Sequence, residues 1–323
     1  MANAKINTFP VTVHEYPSSQ PNRFDYAYEH GVSSSTPDST PANALVFIGG
    51  LGDGPHGVPY VRTIARKIAA QVTDVPFSVF EVRLSSSFSG WGYSTLARDV
   101  EEIARFVVYL RTVLGKRKVV IMGHSTGCQD CLEYYRHLEK GRVDGEDGEV
   151  NGEGVPEVDG VILQGPVSDR EAMAVLGVEK GEVERVVEFA KGMVDKGKGE
   201  EIVPREMVEG ILGGSPVTAY RVWSLAGVGG DDDYFSSDLP DDKVKAIWGR
   251  LRQPVLIVPS AEDEFVPGTI DVAALVKRWE SFCLPGMASE LSGLIPGANH
   301  RVDDARAQEW LAERVVRFLA GLV

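Results

Sequence analysis

The sequence predicts an α/β fold: a mostly parallel sheet with helices on both faces and an inserted set of helices. Short, continuously apolar segments recur along the chain, as is typical of strands buried on both faces. Between them, apolar residues recur at helical spacing. Strands that alternate with helices through short turns form parallel sheets that are covered on both sides. The predicted buried strands are Ala44–Ile48, Phe77–Val82, Lys118–Met122, Gly160–Leu163, Val255–Pro259 and Leu291–Ile295.

Two strands before this alternation and five helices within it complete the prediction. Val11–His14 and Phe24–Glu29 have the composition of strands, and we expect them to lie antiparallel at one edge of the sheet. Apolar stripes at helical spacing predict the helices. These helices are Val61–Val72, Val100–Leu114, 126–138, Val272–Trp279 and Leu311–Leu322.

A segment with helical patterns and without buried strands interrupts the alternation. Val183–Ala190 and Met207–Leu212 each contain one apolar stripe of a helix. We therefore predict three parts: a first part of the core over residues 1–168, a helical lid over 169–250 and a second part of the core over 251–323. A chain of 323 residues with 43% hydrophobic residues can bury a core of this size.

The charge balance argues against two classes of partner. The chain has 33 basic and 47 acidic residues and a formal net charge of −14, so its surface repels nucleic acid phosphates and anionic lipids. Residues 1–7 lack the apolar core of a secretory leader, and no run approaches the roughly 18 apolar residues of a membrane span. Three cysteines do not make a disulfide framework. We therefore expect a cytoplasmic protein that binds neither nucleic acid nor membranes.

The motif Gly123-His124-Ser125-Thr126-Gly127 predicts a nucleophilic serine. It follows the apolar strand that ends at Met122, and a helical pattern follows it. A strand, a sharp turn flanked by glycines and a helix together are typical of a nucleophile elbow, in which the serine hydroxyl projects from the edge of the sheet. Ser125 is therefore the predicted nucleophile.

A serine hydroxyl needs a base, and the base needs an acid that orients it. His300 is the one histidine late in the chain, and it lies after the last predicted strand and before the final helix. The acid is expected between the serine and the histidine in sequence. Asp263 directly follows the strand Val255–Pro259 and is our choice, with Glu262 and Glu264 as alternatives.

Two backbone N–H groups are expected to stabilise the oxyanion. One is that of Thr126, which follows the nucleophile, and the other comes from the glycine-rich loop 49–54. Leu51 is the first candidate in this loop and Gly50 the second. The loop matches neither common phosphate-binding pattern, which argues against a nucleotide.

Further residues are candidates for substrate binding. They are Gly50, His124 beside the nucleophile, and Trp91, which either contacts substrate or packs beneath the lid. Cys128 and Cys131 lie one helical turn apart without a second pair at ligand spacing, so we expect neither a metal nor an organic cofactor.

With these residues in place, nearly the whole chain resembles the α/β-hydrolase superfamily. More narrowly, 49–54, Ser89-Gly90-Trp91-Gly92, the serine motif and Gln164–Glu171 are similar to a family of fungal and plant hydrolases formerly without an assigned function. Its best-described members are intracellular fungal esterases that cleave fusarinine-type hydroxamate siderophores and so free the iron. The resemblance implies Ser125, Asp263 and His300 as a catalytic triad.

We therefore expect a serine esterase that acts on a small-molecule ester through an acyl-enzyme, with a hydroxamate siderophore as the favoured substrate. Two alternatives remain open at this point. One is a receptor that retains the hydrolase scaffold and turns over slowly or not at all. The other is an acyltransferase, which would transfer the acyl group to an alcohol instead of water.

Overall fold

A seven-stranded sheet forms the centre of the protein in a computed structural model that describes residues 8–31, 41–71, 74–143, 154–176 and 180–323. Residues 1–7, on which the expectation about a leader partly rests, lie outside these ranges. The strands follow each other across the sheet in the order β1-β2-β4-β3-β5-β6-β7. Their bounds are β1 Val11–Pro17, β2 Phe24–His30, β3 Asn43–Ile48, β4 Phe77–Arg83, β5 Val119–His124, β6 Gly160–Gln164 and β7 Val255–Val258.

The sheet is antiparallel at one edge and parallel elsewhere. β1 pairs antiparallel with β2 and β2 with β4, whereas β3, β4, β5, β6 and β7 pair in parallel. The helices are α1 Tyr60–Ala69, α2 Leu96–Thr112, α3 Gly127–Val143, α4 Asp169–Val175, α5 Lys180–Val194, α6 Arg205–Leu212, α7 Ala219–Ala226, α8 Asp241–Trp248, α9 Val272–Phe282 and α10 Ala305–Ala320. The predicted α/β fold is confirmed.

Two hydrophobic cores cover the two faces of the sheet. Along β3, Val46 and Ile48 face the core made with α2, α3, α8 and α9, whereas Leu45 and Phe47 face the core made with α1 and α10. This alternation follows from the two-residue period of a strand. Because helices cover both faces, every residue of β3, β5, β6 and β7 is buried.

The predicted strand Leu291–Ile295 is wrong as a regular strand. The segment does follow β7: the N–H groups of Ser289, Gly293 and Ile295 donate to carbonyl groups of 255, 257 and 259. A turn between Ser289 and Ser292 interrupts this ladder, and the Ser292 hydroxyl accepts the N–H of Ile257 at 3.1 Å. In the described part of the chain the sheet therefore ends at β7, beyond which Ile295 forms only an isolated bridge.

Helices α4 to α7 lie between β6 and β7 and have a hydrophobic cluster of their own. α8 packs differently, because Val244 and Trp248 belong to the core under the sheet, where Trp248 stacks on Trp279. The division of the chain at residues 168 and 250 stays a prediction. Among the described helices, none is long and apolar enough to cross a membrane.

Candidate active site

A strained turn at the end of β5 carries Ser125. Its φ is 53°, in the left-handed region that residues other than glycine seldom adopt. The turn is closely packed: a Cβ on Gly127 would lie 2.4 Å from the carbonyl oxygen of Ile48, and one on Gly123 would lie 2.3 Å from that of Gly127. The Ser125 N–H donates to the Gln164 carbonyl at 3.0 Å, which ties the turn to β6. Glycine on both sides of the serine therefore lets β5 turn directly into α3.

The structure brings Asp263 and His300 into contact. Nδ1 of His300 donates to Oδ2 of Asp263 at 2.8 Å, and both side chains are buried. Because Nδ1 carries the proton, Nε2 of the neutral ring has the lone pair that a general base needs. Of the two alternatives, Glu264 instead accepts the backbone N–H of His300 at 2.7 Å, and Glu262 is exposed. The loop after β7 thus holds both the ring and the backbone of His300.

Ser125 and His300 line one cavity of about 310 Å³ at the carboxyl edge of the sheet. Leu51 and His124 line it as well, and Asp263 lies behind His300 through the hydrogen bond described above. The three residues of the predicted triad are therefore gathered around a space that a small molecule can enter.

Helices α4, α6 and α7, called the insertion helices below together with α5, supply most of an apolar wall to this cavity. Asp169 at the start of α4 is the acidic residue in the same wall, and its carboxylate accepts a hydrogen bond from the Gln129 side chain at 2.7 Å. Besides Leu51, the apolar lining residues are Val167, Ala172, Met173, Leu176, Ile211, Leu212, Leu225 and Phe265.

The glycine-rich loop after β3 lies directly against the nucleophile. A Cβ on Gly50 would be 2.6 Å from Cβ of Ser125, so only glycine fits there. The Gly50 N–H donates to Oδ2 of Asp53 at 3.1 Å and is therefore already occupied. This favours Leu51 over Gly50 as the oxyanion donor in the loop. The N–H of Thr126 lies just before α3, where helix geometry leaves N–H groups without intrahelical partners.

His124 is a fixed wall of the cavity. Its Nδ1 lies 2.5 Å from Oε1 of Gln164, and its ring centroid is 5.0 Å from that of His300. Burial, followed by the nearby His300, lowers the pKa of His124 to about 4. The ring is therefore neutral at physiological pH and offers substrate an uncharged surface; its role as a substrate contact stays a prediction.

Comparison with known proteins places the chain in a family. The model of the family described as "Protein of unknown function (DUF1749)" matches residues 3–320. The chain belongs to this family. It is 31% identical over 324 residues to the fusarinine C esterase sidJ of Aspergillus fumigatus, which covers 87% of this chain and 90% of that protein. An esterase of Emericella nidulans is 32% identical over 362 residues, covering 97% and 93%.

Solved structures agree with this assignment. The siderophore hydrolase EstB from Aspergillus fumigatus superposes with a TM-score of 0.79 at 26% identity, covering 99% of both chains. A thermostable carboxyl esterase from Bacillus coagulans superposes with a TM-score of 0.60 at 13% identity over 98% of this chain and 99% of that one, which shows the fold alone. The α/β-hydrolase fold that the motifs implied is confirmed, and the relatives support an esterase or hydrolase function.

Gln164 lies at the end of β6 and connects several residues of the site. The sequence motifs did not predict this role. Oε1 of Gln164 also accepts from the Tyr60 hydroxyl at 2.8 Å, and its Nε2 donates to Oγ of Ser260 at 3.3 Å. It thereby joins the carboxyl ends of β5, β6 and β7. A polar residue at the end of an otherwise apolar strand was the available signal.

Asp53 is a second residue whose role the sequence motifs did not predict. It lines the cavity and ties the glycine-rich loop to the residue after the histidine, since its Oδ1 accepts from Arg301 at 2.9 Å. The same carboxylate holds the Gly50 N–H and lies 3.8 Å from Nε2 of His124. This contact joins residues almost 250 positions apart in the chain, which no local pattern reveals.

Among the described residues, Trp91 is not one that lines the cavity. It packs in the hydrophobic cluster of the insertion helices, and its carbonyl accepts from the buried Arg221 at 3.0 Å. Cys128 and Cys131 are core residues of α3, and burial raises the pKa of both thiols well above its ordinary value. Neither feature adds a ligand to the cavity.

Proposed function

We propose that this protein is a serine esterase that hydrolyses its substrate through an acyl-enzyme at Ser125. The observation that carries the proposal is the shared cavity: a serine on a strained elbow and a histidine oriented by a buried aspartate both face it. This is the arrangement of parts that acyl transfer to a serine requires.

In the first step, Oγ of Ser125 attacks the ester carbonyl and its proton passes to Nε2 of His300. Asp263 stabilises the imidazolium that results, because Nδ1–H already points at its carboxylate. The N–H groups of Leu51 and Thr126 receive the oxyanion. His300 then gives its proton to the departing alkoxide, which leaves as the alcohol and yields the acyl-enzyme.

In the second step, His300 takes a proton from water, whose hydroxide attacks the acyl carbon. The bond to Oγ of Ser125 breaks, the serine regains a proton from the imidazolium, and the carboxylic acid leaves. The apolar wall from α4, α6 and α7 is suited to the hydrocarbon part of the substrate.

The substrate class that we favour is an ester-linked hydroxamate siderophore. The support is the similarity to sidJ and EstB, whose names state fusarinine C and siderophores. A cavity of about 310 Å³ lies at the lower end of the range for small-molecule pockets, so we expect it to hold one ester-linked arm of such a substrate.

A substrate comparison tests both parts of this proposal. Purified protein and the Ser125→Ala variant are assayed with ferric and iron-free fusarinine-type esters beside p-nitrophenyl butyrate. We expect siderophore cleavage with a higher kcat/KM than the simple ester, and a loss of about 10⁶-fold in kcat in the variant. Cleavage that Ser125→Ala leaves within tenfold would refute the serine mechanism, whereas turnover of the simple ester alone would refute only the siderophore.

A further inference from the structure

A group of ligating side chains lies outside the lining of the cavity. His30 ends β2, Glu81 lies in β4, and His56 belongs to the loop that leads from β3 to α1. Each offers one nitrogen or oxygen, and these atoms all lie within 4.8 Å of one another. Among the described residues this is the one such group of three.

Glu81 is the centre of the group. Its Oε1 lies 2.6 Å from Nε2 of His30 and 3.0 Å from Nδ1 of His56, and its Oε2 accepts the His56 backbone N–H at 2.7 Å. Two imidazoles thus approach one carboxylate oxygen from different segments of the chain. Ligand atoms about 2.0–2.1 Å from a tetrahedral zinc ion lie about 3.3 Å from one another, so these side chains need to move apart by less than about 1 Å to admit an ion.

His56 is incompletely satisfied in this arrangement. Both of its ring nitrogens are buried, and neither makes a hydrogen bond with any described residue, since Nδ1 is close to Oε1 of Glu81 but poorly oriented for one. A buried polar atom without a hydrogen-bond partner is unfavourable. A ring nitrogen of His56 therefore has a lone pair that no described donor uses, and this lone pair is available to an added ligand.

The backbone and the surroundings of His56 also favour a bound ligand. Its φ of 67° lies in the left-handed region, which is uncommon for residues other than glycine, and such backbone conformations concentrate at ligand clamps. Phe9 lies with its ring 5.2 Å from that of His56, and Tyr28 lies 5.4 Å away, both edge-on. An aromatic shell of this kind limits access of solvent and strengthens metal–ligand interactions.

We propose that His30, His56 and Glu81 bind a divalent transition-metal ion, with zinc as the best match and solvent as the fourth ligand. Two histidines and one glutamate form a donor set that zinc uses in proteins. The expectation of no metal rested on Cys128 and Cys131, which lack a second pair at ligand spacing. Such spacing cannot reveal His30, His56 and Glu81, because they lie on separate segments. A bound ion would join β2 and β4 to the loop that carries Leu51, so it would brace the loop of the proposed oxyanion site.

Metal titration of the purified protein tests this site. The protein is stripped with a chelator, dialysed, and titrated separately with Zn²⁺ by calorimetry and with Co²⁺ by visible absorption. We expect one ion per chain, the absorption of a four-coordinate Co²⁺ site, and a higher melting temperature with Zn²⁺.

Two variants remove ligands, and a third is the matched control. His56→Asn suits the left-handed backbone, which asparagine tolerates, and shortens the side chain. Glu81→Gln keeps the shape of the third ligand. Nε2 of His137 lies 3.0 Å from Oε1 of Glu133, in a pair that contains one histidine. His137→Ala therefore removes a histidine–glutamate pair that is comparable to the pair of His56 and Glu81. Circular dichroism melts establish that each variant is folded before titration.

We expect His56→Asn and Glu81→Gln to lower the affinity at least tenfold, and His137→Ala to retain it. Wild-type protein that does not bind one ion per chain would overturn the proposal. Equal binding by His56→Asn and the wild type would overturn it as well, because the ion would then lie elsewhere. Since both readouts are metal binding, they are independent of the esterase proposal.

Discussion

Replacement of Gly50 by alanine is the sharpest steric test of the site. The added Cβ would lie 2.6 Å from Cβ of Ser125, 3.0 Å from the His124 carbonyl oxygen and 3.2 Å from Oγ of Ser125. Ordinary contact begins at 3.4 Å, so the loop and the elbow must separate by about 0.8 Å. The elbow has little freedom to yield, because Ser125 is tied to β6 through its N–H.

This displacement sets the expected loss of activity. A misplacement of about 1 Å between reacting groups costs on the order of 100-fold in rate, which corresponds to about 2.7 kcal/mol of transition-state stabilisation. We expect Gly50→Ala to lower kcat by about that factor and to change KM less, because the apolar wall that holds the substrate is untouched.

Gly52→Ala is the matched control in the same loop. Its φ is 78° and no atom lies within 4 Å of the position of its Cβ, so the substitution strains the backbone without pressing on Ser125. We expect a loss of about 1–2 kcal/mol in the free energy of unfolding and less than a tenfold loss in kcat. Steady-state hydrolysis of p-nitrophenyl butyrate and urea unfolding measure the two quantities. If Gly50→Ala retains kcat within threefold of the wild type, the close approach of the loop to Ser125 is refuted.

Three further predictions concern the acid, a buried carboxyl and the apolar wall. Asp263→Asn should lower kcat by about 10⁴-fold while Glu264→Gln, which affects only the backbone contact of His300, should cost tenfold or less; equal losses in stopped assays would contradict the assignment. Burial raises the pKa of Asp99 to about 7, so the native state holds a proton that the unfolded state releases above about pH 4. The contribution of Asp99 to the free energy of unfolding therefore falls by up to about 1.4 kcal/mol per pH unit between about pH 4 and about pH 7. Asp99→Asn should remove that slope in urea unfolding at pH 5 and 7, and the same pH dependence in the variant and the wild type would contradict this reasoning. Met173→Ala should enlarge the cavity and raise the octanoate-to-butyrate ratio of kcat/KM about tenfold, and an unchanged ratio would show that the acyl chain lies elsewhere.

The strands and the elbow could be predicted because their signals are local. An apolar run such as β5 and the glycines that flank Ser125 state their structure within a few residues. The order of Ser125, Asp263 and His300 in the chain also sufficed to choose three residues that the structure gathers at one edge. The sequence favoured Asp263 over Glu264, and the coordinates add how the two contacts differ: Asp263 accepts from the ring of His300, whereas Glu264 accepts from its backbone N–H.

Other features depend on contacts that the sequence does not record. Gln164 contacts side chains from α1, from β5 and from the segment after β7, namely Tyr60, His124 and Ser260. The group of His30, His56 and Glu81 comes from three distant segments. The sequence left Trp91 open between substrate binding and packing, and the structure places it in the hydrophobic cluster of α4 to α7, where Arg221 of α7 donates to its carbonyl. The break near Leu291 arises from one turn and one serine hydroxyl, a competition that hydrophobic pattern cannot detect.

Identification of the residue acylated in the first step tests the central claim most directly. The protein is treated with a fluorophosphonate ester, and the adduct is located by mass spectrometry of its peptides. We expect one adduct per chain on Ser125 and none in Ser125→Ala. An adduct on a different residue would contradict the account. Treated protein that carries no adduct and keeps full esterase activity would contradict it as well.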